Sequence, residues 1–202
     1  MKKNTIIFDL GAVLIDWNPH YLYRKIFEEE EQMLHFLENI CTPEWNEEQD
    51  AGRSLQEATD LLVERHPEHE ENIRAFYGRW EEMLGGPIEG TVEILRELKE
   101  HDDYNIYALT NWSEETFPIA QERYDFLAWF DGIVVSGTEK NRKPFDSFYH
   151  TLLERYQVHP SEAIFIDDNL RNVKAAEKLG IESIHFTSPE ELRKRLREMG
   201  IL

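Results

Sequence analysis

The chain has 202 residues, 41 acidic side chains against 22 basic ones, and a formal charge of −19 at pH 7. That length suits one domain, or one domain with a substantial insertion, and 41% apolar with 12% aromatic residues is enough to pack a core, so disorder does not describe the whole chain. The acidic excess argues against a nucleic acid or an anionic membrane as partner, since both require clustered Lys and Arg. A single cysteine, Cys41, excludes an internal disulfide and a multi-cysteine zinc site, and a reduced, cytoplasmic setting is expected.

In chain order, Lys2 and Lys3 followed by an apolar run imitate a signal peptide, but Asp9 and Asp16 interrupt the run. No other stretch approaches the roughly 18 apolar residues of a membrane span. Thr5 to Leu10 is a continuous apolar run of the kind that forms a parallel strand buried on both faces, and so are Tyr104 to Leu109, Gly132 to Ser136, Ala163 to Asp167 and Glu182 to Phe186. Helix-length segments separate the later strands. Val92, Ile94, Leu95 and Leu98 share a helix face, Gly180 ends the helix from Asn172 to Leu179, and Ser188-Pro189 opens a last helix that Gly200 closes. Alternating strands and helices predict an α/β fold, a doubly wound, mostly parallel five-stranded sheet.

The connection between the first two strands is too long for one crossover. Residues 1–16 and 88–202 are therefore assigned to the core and residues 17–87 to an inserted subdomain, whose signals are all helical: Asn18-Pro19, Thr42-Pro43 and the capping box from Ser54 to Glu57, with Gly85-Gly86-Pro87 as a flexible exit. The acidic run Glu28 to Glu31 reads as a solvated helix start.

In a doubly wound sheet, function collects in the loops beyond the carboxyl ends of the strands. The first strand ends in Asp9, the second in Thr110-Asn111, the third leads to Lys143-Pro144, and the fourth ends in Asp167-Asp168. Converging carboxylates repel unless a cation lies between them, and an oxygen-only donor set without His or Cys points to Mg²⁺. An ammonium and a hydroxyl beside that metal are what a phosphoryl group needs. A carboxylate at a strand end can also act as nucleophile, which makes Asp9 the candidate for an aspartyl-phosphate.

Phe8-Asp9-Leu10-Gly11-Ala12-Val13-Leu14-Ile15-Asp16, Leu109-Thr110-Asn111, Arg142-Lys143-Pro144 and Phe165-Ile166-Asp167-Asp168-Asn169-Leu170-Arg171-Asn172 resemble, in order, the four motifs of the haloacid dehalogenase superfamily. The resemblance spans essentially the whole chain, and the helical insertion stands where that family's type 1 cap belongs. It implies that Asp9 is nucleophile and Mg²⁺ ligand, that the Gly11 carbonyl and Asp168 complete the ligands, and that Asp167 and Asn172 support the metal shell. Thr110 and Asn111 would contact phosphate, and Lys143 would stabilise its charge.

Gly11 departs from the pattern, because most phosphatases of the family carry there a second Asp that protonates the leaving group; losing such an acid costs roughly 10² to 10⁴ in rate. Phe145-Asp146 after Lys-Pro is a second departure. Metal-free 2-haloacid dehalogenation also uses an Asp nucleophile without a second Asp, but the retained Asp167-Asp168 pair would leave such a site crowded with negative charge. The Asp-x-Gly form of the first motif resembles a branch that includes sugar-phosphate hydrolases. The expected function is thus Mg²⁺-dependent hydrolysis of a small phosphorylated metabolite, such as a sugar phosphate, by a monomer or weak homodimer. The alternatives are a 2-haloacid dehalogenase and a catalytically weak member that binds a phosphorylated ligand or a protein. Candidate substrate contacts are Trp112, Arg24 and Arg53, with Trp17, Asn46 and Gln49, and also Trp45, His20 and Tyr21, as further lining groups.

Overall fold

The computed structural model describes residues 3–101 and 103–202. Met1 and Lys2, part of the amino-terminal stretch weighed above as a signal peptide, lie outside those residues; no helix among the described residues is long and apolar enough to cross a membrane.

Strand β1 (Thr5–Phe8) is followed by a short strand β2 (Ile15–Trp17) and a single helical turn α1 (His20–Tyr23). Then come α2 (Glu30–Asn39), α3 (Pro43–Asp50), α4 (Leu55–Arg65) and α5 (Glu70–Gly78), after which β3 (Leu84–Pro87) returns the chain. The remainder alternates: α6 (Glu89–His101), β4 (Asn105–Thr110), α7 (Phe117–Arg123), β5 (Gly132–Val135), α8 (Ser136–Glu139), α9 (Asp146–Arg155), β6 (Ala163–Asp167), α10 (Leu170–Lys178), β7 (Glu182–His185) and α11 (Pro189–Glu198).

The five long-range strands form one sheet in the order β5-β4-β1-β6-β7, all parallel, with Ile6 paired to Ile106 on one side and Ile164 on the other. Alternate residues feed opposite faces. Ile6, Phe8, Ile106, Ala108, Ile164 and Ile166 enter one apolar cluster, whereas Ile7, Tyr107, Leu109, Val134 and Phe165 enter another. Both faces are therefore dry, which is why the strands read as uninterrupted apolar runs rather than alternating ones. The first cluster continues without a break into the helical segment, through Tyr23, Phe36, Phe76 and Trp80.

The caps follow the residues that predict them. Thr42 accepts a hydrogen bond from the Trp45 N–H, with Pro43 as the first helical residue, and Ser54 and Ser188 accept from the Glu57 and Glu191 N–H groups. Gly180 and Gly200 adopt φ of +83° and +68° one residue beyond the caps Leu179 and Met199 of α10 and α11. Asn18 accepts from the His20 N–H, the capping contact the Asn-Pro pair predicts, although α1 itself is counted from His20.

One expectation fails. The segment Gly85-Gly86-Pro87 is not a flexible exit but strand β3, paired antiparallel with β2, so the connection is not purely helical. The ribbon depends on close approach: a Cβ on Gly85 would collide with the Asp16 carboxylate. It is too short to show a periodic pattern, and its glycines disguise it as a loop.

Phe76, 1% exposed, packs against Tyr23, Trp45 and Tyr77 at the centre of the helical segment. Phe76→Ala should cost about 3–5 kcal/mol of stability, read as a lowered urea midpoint.

Candidate active site

The sheet order reverses beside β1, with β4 and β5 on one side and β6 and β7 on the other, so the carboxyl ends of β1, β4 and β6 surround the switch point. Asp9 follows β1 and is tied to β6 by its backbone N–H donating to the Ile166 carbonyl at 2.8 Å. One carboxylate oxygen from each of Asp9, Asp167 and Asp168 lies within 4.8 Å of the others; Asp9 and Asp167 are buried and Asp168 is exposed.

Lys143 enters this group from the loop after α8. Its ammonium donates to Asp9 Oδ1 at 2.9 Å and to Asp167 Oδ2 at 2.7 Å, and its side chain is 0% exposed. Burial works to discharge that ammonium, yet Asp167 and Asp9 outweigh it and hold its pKa above the ordinary lysine value. Burial pushes the Asp9 carboxyl up to about 7; Lys143 pulls against it, while Asp167 and Asp168 push the same way. Asp168, exposed as a residue but with its carboxyl partly enclosed by the site, is raised as well, by that desolvation and then by Asp167. Three carboxylates thus share one ammonium, an imbalance that a divalent cation would relieve. The donor set, oxygen only, fits Mg²⁺.

The carboxylates are not equivalent. Asp167 is spent: Oδ2 takes Lys143, Oδ1 accepts from the Asn169 N–H at 2.8 Å, and the Asn172 amide lies 3.1 and 3.2 Å from its two oxygens. Asp9 Oδ1 accepts from Lys143 and from the Leu10 N–H, which leaves Oδ2 without a partner among the described residues. Asp168 lines an open cavity with Gly11 and Asn111.

Asn111 does not offer its amide to that cavity freely. Its Nδ2 donates to the Lys143 carbonyl at 3.0 Å and its Oδ1 accepts from the Lys143 N–H at 2.9 Å, fixing the lysine's backbone to the end of β4. Thr110 is 0% exposed and its hydroxyl is buried with no hydrogen-bond partner among the described residues. The Trp112 N–H donates to Ser136 Oγ at 2.9 Å, and the indole donates to Thr116 and packs edge-on against Trp80.

The cavity measures about 700 Å³ counting its open mouth. Trp17, Tyr77, Trp80 and Trp112 supply its aromatic wall, and Asn46 and Asp50 of α3 enter it from the helical segment. Of the other residues read from sequence, the Arg53 guanidinium is held by Gln49 Oε1 and the Trp45 carbonyl. Arg24 is exposed beside Phe27, Glu28 and Glu30, in a different depression, and neither arginine lines the cavity. His20 borders a neighbouring apolar groove, while Tyr21 donates to Asp16. Asp50, Tyr77 and Trp80 escaped the sequence reading. Asp50 stands one helical turn beyond Asn46, and that i,i+4 spacing was the available signal.

Residues 6–186 match the family profile of haloacid dehalogenase-like hydrolases, and the chain belongs to that family. It is 29% identical to a sesquiterpene phosphatase of Aspergillus oryzae over 194 residues, covering 96% of this chain and 94% of that one. A phosphorylated carbohydrates phosphatase of Thermotoga maritima is 26% identical across 90% of this chain and 83% of its own. Among solved structures, a family enzyme of Bacteroides thetaiotaomicron in complex with magnesium and inorganic phosphate superposes with a TM-score of 0.67 at 20% identity, covering 92% of this chain and 95% of that one.

Removing the ammonium should be felt as stability. Lys143→Met leaves Asp9 and Asp167 buried and uncompensated, and about 3–5 kcal/mol should be lost at neutral pH, measured by urea unfolding. Because the Asp9 carboxyl already titrates high, its protonation on acidification removes part of the penalty, so the deficit should be smaller at pH about 5 than at about 8.

Proposed function

We propose that the protein is a Mg²⁺-dependent phosphatase of a small phosphorylated metabolite, working through an aspartyl-phosphate on Asp9. The observation that carries this reading is the Lys143 ammonium seated between Asp9 and Asp167, with Asp168 beside them at the mouth of the cavity. Asp9, Asp168 and the Gly11 carbonyl would hold the ion, with Asp167 behind them. Bound there, Mg²⁺ supplies positive charge that offsets the carboxylates and the phosphoryl oxygens.

The chain's own groups divide the remaining work. Asp9 Oδ2, the oxygen without a partner, attacks phosphorus, while Oδ1 is kept in place by Lys143 and the Leu10 N–H. The ammonium has three donors and spends two on carboxylates, so the third is free for a phosphoryl oxygen. The Thr110 hydroxyl, buried and unsatisfied, gains a partner when a phosphoryl oxygen arrives. Asn111 acts through Lys143 by holding its backbone.

Residues 17–87 serve in this reading as a cap over the rim of the sheet, excluding water and choosing the substrate. The aromatic wall suits a metabolite whose organic part offers an apolar or ring face, a description that fits both a terpenyl and a sugar ester. The acidic surface keeps polyanions away. A monomer or weak homodimer in the cytoplasm completes the proposal.

Phosphate release from an aryl phosphate and from a panel of metabolite esters tests it. Activity should require Mg²⁺, vanish with chelator, and fall by roughly 10⁴-fold or more in Asp9→Asn. Mg²⁺ should also raise the Tm of the wild type and raise that of Asp168→Ala less. Chelator-insensitive halide release from 2-chloropropionate would establish the dehalogenase instead, and tight binding of phosphate esters without turnover would establish a binding protein.

A further inference from the structure

Gly11 puts no carboxyl where a leaving group would need a proton, and the cavity wall facing the core contains one candidate to supply it. Asp50 is the last residue of α3, partly buried, and lines the same cavity as Gly11 and Asp168. Its carboxyl has no hydrogen-bond or ion-pair partner among the described residues, although the chain is otherwise laced with such pairs. That contrast is informative, because a carboxyl partly withdrawn from water and left without a partner is costly, and such groups cluster at functional sites.

The helix that carries Asp50 is seated firmly. Thr42 caps it, Gln49 donates to Tyr77 at 2.7 Å, and Tyr77 donates in turn to Asn46 at 2.9 Å. Three ion pairs join it to the core, Glu48 to Arg142 at 3.2 Å, Glu47 to Arg142 at 3.7 Å and Glu47 to Arg171 at 2.6 Å. Those arginines flank Lys143 and the Asp167-Asp168 pair in sequence, so α3 is held against the two loops that carry the charged cluster.

We propose that Asp50 is the general acid and base of the phosphatase, supplied from the helical insertion in place of a carboxyl at position 11. This rests on the phosphatase reading given above. In the first half-reaction Asp9 forms a bond to phosphorus, the ester P–O bond breaks, and the departing oxygen takes the Asp50 proton to leave as an alcohol. In the second, water attacks phosphorus and gives a proton to the Asp50 carboxylate. The bond to Asp9 breaks, releasing phosphate and restoring both side chains. The proton that leaves Asp50 in the first step thus returns to it in the second.

The electrostatics agree with the role. Burial, and then Glu47 one turn earlier, push the Asp50 carboxyl up to about 7, against the pull of Arg142 and Lys143. Tyr77 and Asp168 are the remaining titratable groups on the wall of that cavity. A carboxyl titrating there is available in both protonation states near neutrality.

Leaving-group dependence separates this from a purely structural or substrate-holding Asp50. We would compare p-nitrophenyl, phenyl and propyl phosphate across pH, using wild type, Asp9→Asn, Asp50→Asn, Asp50→Glu, and the double variant Gly11→Asp with Asp50→Asn. Gly11 is suited to that rescue: nothing lies within 4 Å of a Cβ placed there, and its φ is not positive. Wild-type kcat should vary little with leaving-group pKa and should fall on an alkaline limb with propyl phosphate. Asp50→Asn should lose roughly 10²-fold or more on propyl phosphate, at least about tenfold more than on p-nitrophenyl phosphate, and should lose that limb. Asp50→Glu and the double variant should each regain about tenfold.

An equal loss on all three esters, an alkaline limb that persists in Asp50→Asn, or no rescue would overturn the role of Asp50 and leave the phosphatase standing. Should Asp50→Asn not fold, a steep leaving-group dependence in the wild type overturns it without any variant. If the wild type hydrolyses none of these esters, or Asp9→Asn is as active as the wild type, both readings fall together.

Discussion

A lysine with no solvent exposure is an expensive thing to build, and the structure is arranged around making Lys143 tolerable. The ammonium is fixed by Asp9 at the end of β1 and by Asp167 at the end of β6, adjacent strands whose parallel register brings both side chains to one level. Asn111, from the end of β4, clamps the lysine's backbone by two hydrogen bonds. Three strand ends are thereby bound to one cation, and the sheet order that places β1 between β4 and β6 is what makes the arrangement possible. Take away the parallel sheet and the cluster cannot assemble; take away the lysine and its carboxylates lose the ammonium that balances them.

The same cluster leaves a surplus of negative charge at the cavity, and this changes the meaning of the chain's acidity. Most of the 41 acidic residues are exposed and paired loosely or solvated, contributing little to stability individually. Asp9, Asp167 and Asp168 are different, because burial raises Asp9 and Asp168 and the mutual repulsion has somewhere useful to go. In the proposed reaction, a divalent cation and an incoming phosphoryl group would convert that repulsion into binding. An anionic substrate could thus be held without a basic surface.

Much of this was legible beforehand, for identifiable reasons. Strands buried on both faces leave unbroken apolar runs, and all five were located to within two residues; the caps at Thr42, Ser54 and Ser188 announce themselves by residue type. The strand-end residues Asp9, Thr110, Asn111, Lys143 and Asp167-Asp168 could be gathered because topology, not side-chain detail, brings them together. Arg24 and Arg53 could not be judged that way. A charge says nothing of where a side chain outside the regular elements turns, and Arg53 turns to Gln49 while Arg24 stands in another depression. Asp50 was hidden by abundance, one acid among many, and only the packing of α3 against the core distinguishes it. The β2–β3 ribbon was missed because its pairing joins residues far apart in sequence, through glycines that carry no apolar signal.

The two halves of the site differ in how they are held. The Asp9–Lys143–Asp167 contacts are almost wholly buried, so mobile ions screen them far less. The pairs that seat α3, Glu47 with Arg171 and Glu48 with Arg142, lie partly in water, and at about 0.1 M salt the screening length is only about 10 Å. Ionic strength therefore acts more on one wall of the cavity than on its floor. In a concentrated medium the insertion rests more lightly on the core, while Asp9 and its lysine stay where the sheet puts them.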